Sequence, residues 1–190
     1  MRLFLASMSF SLLCCVGAAQ ASEALWSKLR EGGRVALIRH ADAPGGTGDP
    51  ANFRLDDCMT QRNLSEQGKA EARELGERIR AHRIAVGKIL ASQWCRCRDT
   101  AALLALGAVE DAATFNNAFA LGARRDELTE GARKVIASWK GPGTLVVVTH
   151  GANILPLTGI HPAQAEIVVV EPDPPAAGKL KLLGRISPGV

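Results

Sequence analysis

The chain has 190 residues, 47% of them hydrophobic and 22% charged, with a formal net charge of +4. That length suits one domain with a real core. The positive balance is too mild to argue by itself for a nucleic-acid partner.

The first stretch, "MRLFLASMSFSLLCCVGAAQAS", carries Arg2, an apolar run from Leu3 to Val16, and small residues ending in Ala19-Gln20-Ala21. This is the order of a secretory signal peptide, with cleavage expected after Ala21. A membrane anchor wants about 20 strongly apolar residues, and Ser7, Ser9 and Ser11 interrupt this run. A lipoprotein reading through Cys14 or Cys15 is weaker, because Leu13 precedes the first cysteine. The expected organisation is therefore a leader over residues 1–21 and one domain over residues 22–190. The mature protein is expected in the periplasm or secreted, without stable membrane insertion.

Arg34 to Arg39 reads as a buried strand, rich in Val, Leu and Ile. A loop from Ala41 to Asn63 follows, marked by Pro44, Gly45, Gly46, Gly48 and Pro50. "NLSEQGKAEARELGERIRAHR" is amphipathic, with Ser65 as N-cap and Gly68, Ala72, Leu75, Ile79 and His82 on one face. Gly87 to Ser92 is a second strand, and a helix runs through "RDTAALLAL" to a stop at Gly107. Residues 108–123 are weakly patterned and read as loop. Asp126 to Trp139 is helical, and Thr144 to His150 is a third, almost wholly apolar strand. "AEIVVVEP" and "KLKLLGRI" flank "DPPAAG" as a terminal hairpin. Strands alternating with helices predict a three-layer αβα sandwich on a mostly parallel sheet.

Three cysteines follow the leader: Cys58, Cys95 and Cys97. In an oxidising compartment pairing is expected, and an odd count leaves one over. Cys58 with either Cys95 or Cys97 is the expected disulfide. A zinc site is the rival, but C-x-C without a nearby His is a poor ligand set.

Ligands of open α/β sheets bind outside the carboxyl ends of the strands. The first strand delivers Arg39-His40 there, the second "SQWCRCRDTA", and the third Thr149-His150-Gly151. Two histidines and further arginines at one sheet edge suit a phosphoryl group, which needs fixed cations and directed donors. Arginine forks stay charged at any relevant pH, and a neutral imidazole is a competent nucleophile. Nearby arginines would lower its pKa and keep the lone pair free.

"LIRHADA", "SQWCRCRDTA" and "VVVTHGAN" together resemble the histidine phosphatase superfamily, which includes the cofactor-dependent phosphoglycerate mutases. "RNLSEQGKAEA" resembles the segment opening that family's first long helix. The resemblance covers about Val35 to Thr158 and implies a phosphoglycerate mutase-like fold. It implies that His40 takes up the phosphoryl group, that Arg39 and Arg96 grip its oxygens, and that His150, cationic or donating, completes the pocket with Gly151 beside it. It implies no cofactor and no metal. Ala41 stands where the family has glycine, tolerable if its φ is below zero. The family's proton donor is an acidic residue on a variable loop. Asp42 is the first candidate here, with Glu127 and Asp126 after it, and a good leaving group would need none.

The reading that follows is an exported phosphomonoester hydrolase working through phosphohistidine on a small-molecule or macromolecular phosphomonoester. No nucleic-acid partner is expected, and the sequence leaves the substrate and the oligomeric state open. A non-catalytic phosphate-binding protein and a metal-dependent hydrolase using His40 and Asp42 are the alternatives. His82, His161, Trp94 and Trp139 read as structural and Arg98 as a solvated helix residue. Arg54, Arg62 and Asn153 are evenly balanced between substrate contact and ordinary roles.

Overall fold

The computed structural model describes residues 10–173 and 179–189. In chain order it runs α1 (Phe10–Arg30), β1 (Val35–Arg39), α2 (Glu66–Ala81), β2 (Val86–Ala91), α3 (Cys95–Leu103), β3 (Val109–Asp111), α4 (Arg125–Ala137), β4 (Thr144–Thr149), α5 (Gly151–Thr158), β5 (Ile167–Asp173) and β6 (Lys179–Ile186). The strands form one sheet in the order β3-β2-β4-β1-β5-β6. β3, β2, β4 and β1 are mutually parallel, while β5 runs antiparallel to β1 and pairs with β6 as the expected hairpin. Residues 174–178 of its predicted turn lie outside the described residues.

The apolar runs of β1 and β4 have a direct cause: both faces of the sheet are covered. Ala36, Ile38, Val146 and Val148 face Trp26 of α1, Ala72, Leu75 and Ile79 of α2, and Ala101 of α3. Val35, Leu37, Leu145 and Val147 face Ala132 and Ile136 of α4 and Ile154 and Leu157 of α5. The alternation of neighbours in sequence between two clusters is the period of two expected of strands. The result is the predicted three-layer αβα sandwich.

Ser65 caps α2 as predicted, its hydroxyl accepting from the Gly68 amide at 2.9 Å. Other boundaries differ from expectation. α3 begins at Cys95 and ends at Leu103, well short of Gly107, and the next turn is made by Ala105 at a φ of 51°. The Leu104 carbonyl there accepts from Arg80 Nη1 at 2.7 Å, so a side chain of α2 takes the place of a further helical turn. The segment read as loop contains the short edge strand β3 and a 3-10 turn over Ala113–Phe115. α5 follows His150 directly, with Pro156 inside it. α1 spans the expected cleavage position, and among its described side chains Trp26 and Leu29 are buried in the core. Among the described residues, no helix is long and apolar enough to cross a membrane.

Candidate active site

Strand register brings the two histidines together. Arg39 stands opposite Thr149 in the parallel β1–β4 pair, and the His40 amide donates to the Thr149 carbonyl at 2.9 Å. His40 and His150 are therefore the first residues past two adjacent strands, with ring centroids 5.4 Å apart and planes inclined by 68°. Both are 3% exposed, at the floor of a cleft of about 370 Å³. That is near the small end of the ~300–1,000 Å³ usual for small-molecule sites. Arg39, Arg62, Arg96, Gly151 and Ala152 also line it, with Phe119 and Leu155 as its large apolar members.

The His40 ring is oriented by its own neighbour. Nδ1 lies 2.8 Å from the Ala41 carbonyl, which can only accept, so the proton sits on Nδ1 and the lone pair on Nε2. Burial, aided by the fields of Arg96, Arg39 and Arg62 and opposed by that hydrogen bond, pushes the His40 pKa down to about 3. The imidazole is neutral throughout the physiological range. Ala41 is buried and is not among the positive-φ residues, so the methyl group in place of glycine is accommodated.

His150 is fully enclosed. Nε2 lies 3.0 Å from Ser92 Oγ, and Nδ1 lies 3.5 Å from Arg96 Nη2, a group that can only donate. The network therefore assigns the proton to Nε2 and the accepting lone pair to Nδ1. Burial, then the positive fields of His40 and the three arginines, holds the His150 pKa well below the ordinary histidine value. Of the two states expected for His150, cationic or donating, burial favours the neutral donor, with its N–H directed at Ser92.

Arg96 is also placed differently from expectation. It lines the cleft, yet its fork is taken by Asp49: Nη1 to Oδ1 at 2.6 Å and Nη2 to Oδ2 at 3.1 Å, with both side chains buried. Burial opposes the charge on Asp49, but hydrogen bonds from Arg96, the Arg62 amide and the Trp94 indole keep its pKa below the usual carboxylate value. The cations left facing the cleft are Arg39 and Arg62. Arg39 donates one Nη1 bond to the Pro162 carbonyl at 2.8 Å, and Arg62 Nη1 donates to the Ala43 and Gly46 carbonyls at 2.7 Å. The first residues of α5, Gly151 and Ala152, line the same cleft, adding the positive end of a helix dipole.

This constellation matches a known group of proteins. Residues 35–117 match the model of the histidine phosphatase superfamily (branch 1). The match and the shared fold support a phosphatase enzyme on the phosphoglycerate mutase-like fold. Its fold is similar to that of the protein histidine phosphatase SixA complexed with tungstate, at 17% identity and a TM-score of 0.53 over 82% of this chain and 97% of that one. It is also similar to phosphoserine phosphatase of Entamoeba histolytica in complex with phosphoserine, at 14% identity and a TM-score of 0.56 over 82% and 98%. A mycobacterial glucosyl-3-phosphoglycerate phosphatase aligns at 18% identity and a TM-score of 0.55 over 78% and 96%. Among curated proteins, no sequence matches this one.

The acids expected to serve this phosphatase site lie elsewhere. Asp42 is not part of the cleft wall: its Oδ2 accepts from Ser65 Oγ at 2.5 Å, and its backbone carbonyl accepts the Ser65 amide. With the amide of Gln164 oriented to satisfy both its groups, that residue donates to Asp42 Oδ1 at 3.1 Å. Asp42 thus anchors the loop to the start of α2, and its assignment as the acid is corrected. Among the described residues no group of three or more His, Cys, Asp or Glu could hold a metal ion. Asp126 and Glu127 open α4 in exposed positions, and Glu127 is paired with Arg124.

Two evenly balanced readings find their places at the cleft. Arg62 lines it, whereas Arg54 pairs with Asp56 and Asp57 on the surface. Asn153 is buried and holds the 116–118 backbone through the Ala118 amide and the Asn116 carbonyl. Sequence reasoning missed Asp49 and His161. The signal for Asp49 was weak: one carboxylate in a glycine-rich loop, 47 residues from its partner. His161, structural by its sequence context, lines the cleft beside Gly151. The disulfide is Cys58–Cys95, and Cys97 is free and buried against His150, with burial pushing its thiol pKa up to about 12.

Proposed function

We propose that the protein is an exported phosphomonoesterase that transfers the phosphoryl group of its substrate to His40 and then to water. The observation that carries this is the state of His40: neutral, with Nδ1–H held by the Ala41 carbonyl and Nε2 unprotonated, at the floor of a cleft walled by arginines. Nε2 attacks phosphorus in line and the ester oxygen departs toward the open mouth. Arg39 and Arg62 hold the non-bridging oxygens, with the amides opening α5 as further donors. Arg96, neutralised in part by Asp49, braces His150 through Nδ1 and contributes its field. Water then attacks the phosphohistidine, the electron pair of the N–P bond returns to Nε2, and phosphate leaves.

Purified protein incubated briefly with a phosphomonoester and quenched in base should carry an acid-labile phosphoryl group. His40→Ala should carry none and lose at least ~10³-fold in turnover. Turnover that survives His40→Ala would sink the reading. Export rests on the leader-like residues 1–21. Secretion from a bacterial host should yield a mature protein beginning at Ser22, and a retained N-terminus would remove the export assignment.

A further inference from the structure

The cleft is lined by arginines and imidazoles and, among the described residues, by no aspartate or glutamate. An alkyl phosphate cleaves slowly unless a proton reaches the departing oxygen. The nearby carboxylates are occupied, Asp42 by Ser65 and Asp49 by Arg96 and Trp94. His40 and His150 are held neutral at the floor, and arginine does not release its proton in this range. One further imidazole lines the cleft: His161, in the connection from α5 to β5.

His161 is exposed where His40 is buried, which places it toward the mouth, the side to which in-line attack from the floor sends the leaving group. It lies over the start of α5, since a Cβ built on Gly151 would stand 3.4 Å from its Nε2. Its connection is fixed from the active site itself, through the bond from Arg39 Nη1 to the carbonyl of the next residue, Pro162. Among the described residues neither ring nitrogen of His161 has a hydrogen-bond partner, so its proton is not committed to the protein.

We propose that His161 is the proton donor of this phosphatase, an inference that rests on His40 as nucleophile. In the first step the His40 Nε2–P bond forms, the P–O ester bond breaks, and the proton of the His161 imidazolium passes to the ester oxygen as the alcohol leaves. In the second, neutral His161 takes a proton from the attacking water. The new P–O bond replaces the N–P bond, phosphate departs, and the imidazolium is restored. Imidazole is suited to both roles because its ring nitrogens can each donate or accept a proton.

The test compares two substrates with purified wild type, His161→Gln and His161→Ala: 4-nitrophenyl phosphate, whose leaving group needs no proton, and glycerol 2-phosphate, whose alkoxide does. The expected loss in kcat is about 100-fold on the alkyl ester and at least 30-fold smaller on the aryl ester, with added imidazole partly restoring His161→Ala on the alkyl ester. Equal losses on both esters, no loss on either, or a wild type that hydrolyses only the aryl ester would overturn the proposal. Thermal midpoints within a few degrees of wild type separate a chemical from a folding defect. His40→Ala run in parallel distinguishes the failures: aryl turnover surviving it removes the nucleophile, whereas parallel losses in a His40-dependent enzyme remove only the donor.

Discussion

At the scale of single residues, two aspartates of the same loop do opposite things from what their distance in sequence suggests. Asp42, two positions from His40, holds Ser65 and the start of α2. Asp42→Ala should therefore cost about 1.5–3 kcal/mol of stability, the range for a hydrogen bond to a charged group, with kcat within about threefold of wild type. A hundredfold loss of kcat at unchanged stability would return Asp42 to the chemistry. Asp49, nine residues from His40, is the partner of the buried Arg96 guanidinium. Removing one member of a buried pair leaves the other charge uncompensated, so Asp49→Ala should lower unfolding free energy by about 3–5 kcal/mol in urea titrations. Asp49→Asn keeps shape and part of the hydrogen bonding but not the charge, and should recover only part of that loss.

Among the elements, close backbone approach fixes where α2 lies. A Cβ on Gly68 would stand 2.1 Å from the Asp42 carbonyl oxygen, and one on Gly76 would stand 2.1 Å from that of Leu104. Backbone oxygens cannot swing aside as a side-chain end can, so Gly68→Ala should destabilise by about 1–3 kcal/mol despite alanine's better helix propensity. Because Gly68 touches the loop leaving His40, KM should rise with it. A variant at least as stable as wild type would contradict this contact. The segment after β3 contributes an apolar wall to the cleft. Phe119 is 54% exposed and Leu155, from α5, is 42% exposed, and both line the cleft. Phe119→Ala should raise KM for aryl phosphates by up to about tenfold, the ~1.4 kcal/mol of one aromatic contact, while leaving KM for glycerol 2-phosphate nearly level.

For the whole molecule, pH and redox state are the external variables the structure couples to stability. His40 and His150 both have pKa values lowered by folding, His40 to about 3. Between about 3 and the ordinary value near 6.5 the unfolded chain binds protons that the native state refuses, so stability falls on acidification. The slope should approach ~1.4 kcal/mol per pH unit for each histidine below pH 6 and vanish for these groups above 7. Urea midpoints at pH 7, 6 and 5 measure it, and His40→Ala should flatten the profile. The Cys58–Cys95 bridge closes a separation of 37 residues that includes α2 and part of the cleft-forming loop. In the chain-entropy account such a loop is worth about 4 kcal/mol. Cys58→Ser should lower the thermal midpoint accordingly and raise KM, since Arg62 lies between the bridged cysteines.

Read alone, the sequence determined the architecture and which groups meet at one edge of the sheet. Apolar runs ending in Arg39-His40 and Thr149-His150, with an amphipathic helix capped at Ser65, specify buried strands delivering functional groups to one sheet edge, because side-chain period and capping are local properties of the chain. Tertiary structure decided how those groups are charged and partnered. The neutrality of His150, the capture of Arg96 by Asp49, the withdrawal of Asp42, the choice of Cys95 over Cys97 and the arrival of His161 at the cleft all depend on burial and on contacts between distant segments. Desolvation and hydrogen-bond direction are set by three-dimensional neighbours, and no spacing along the chain encodes them.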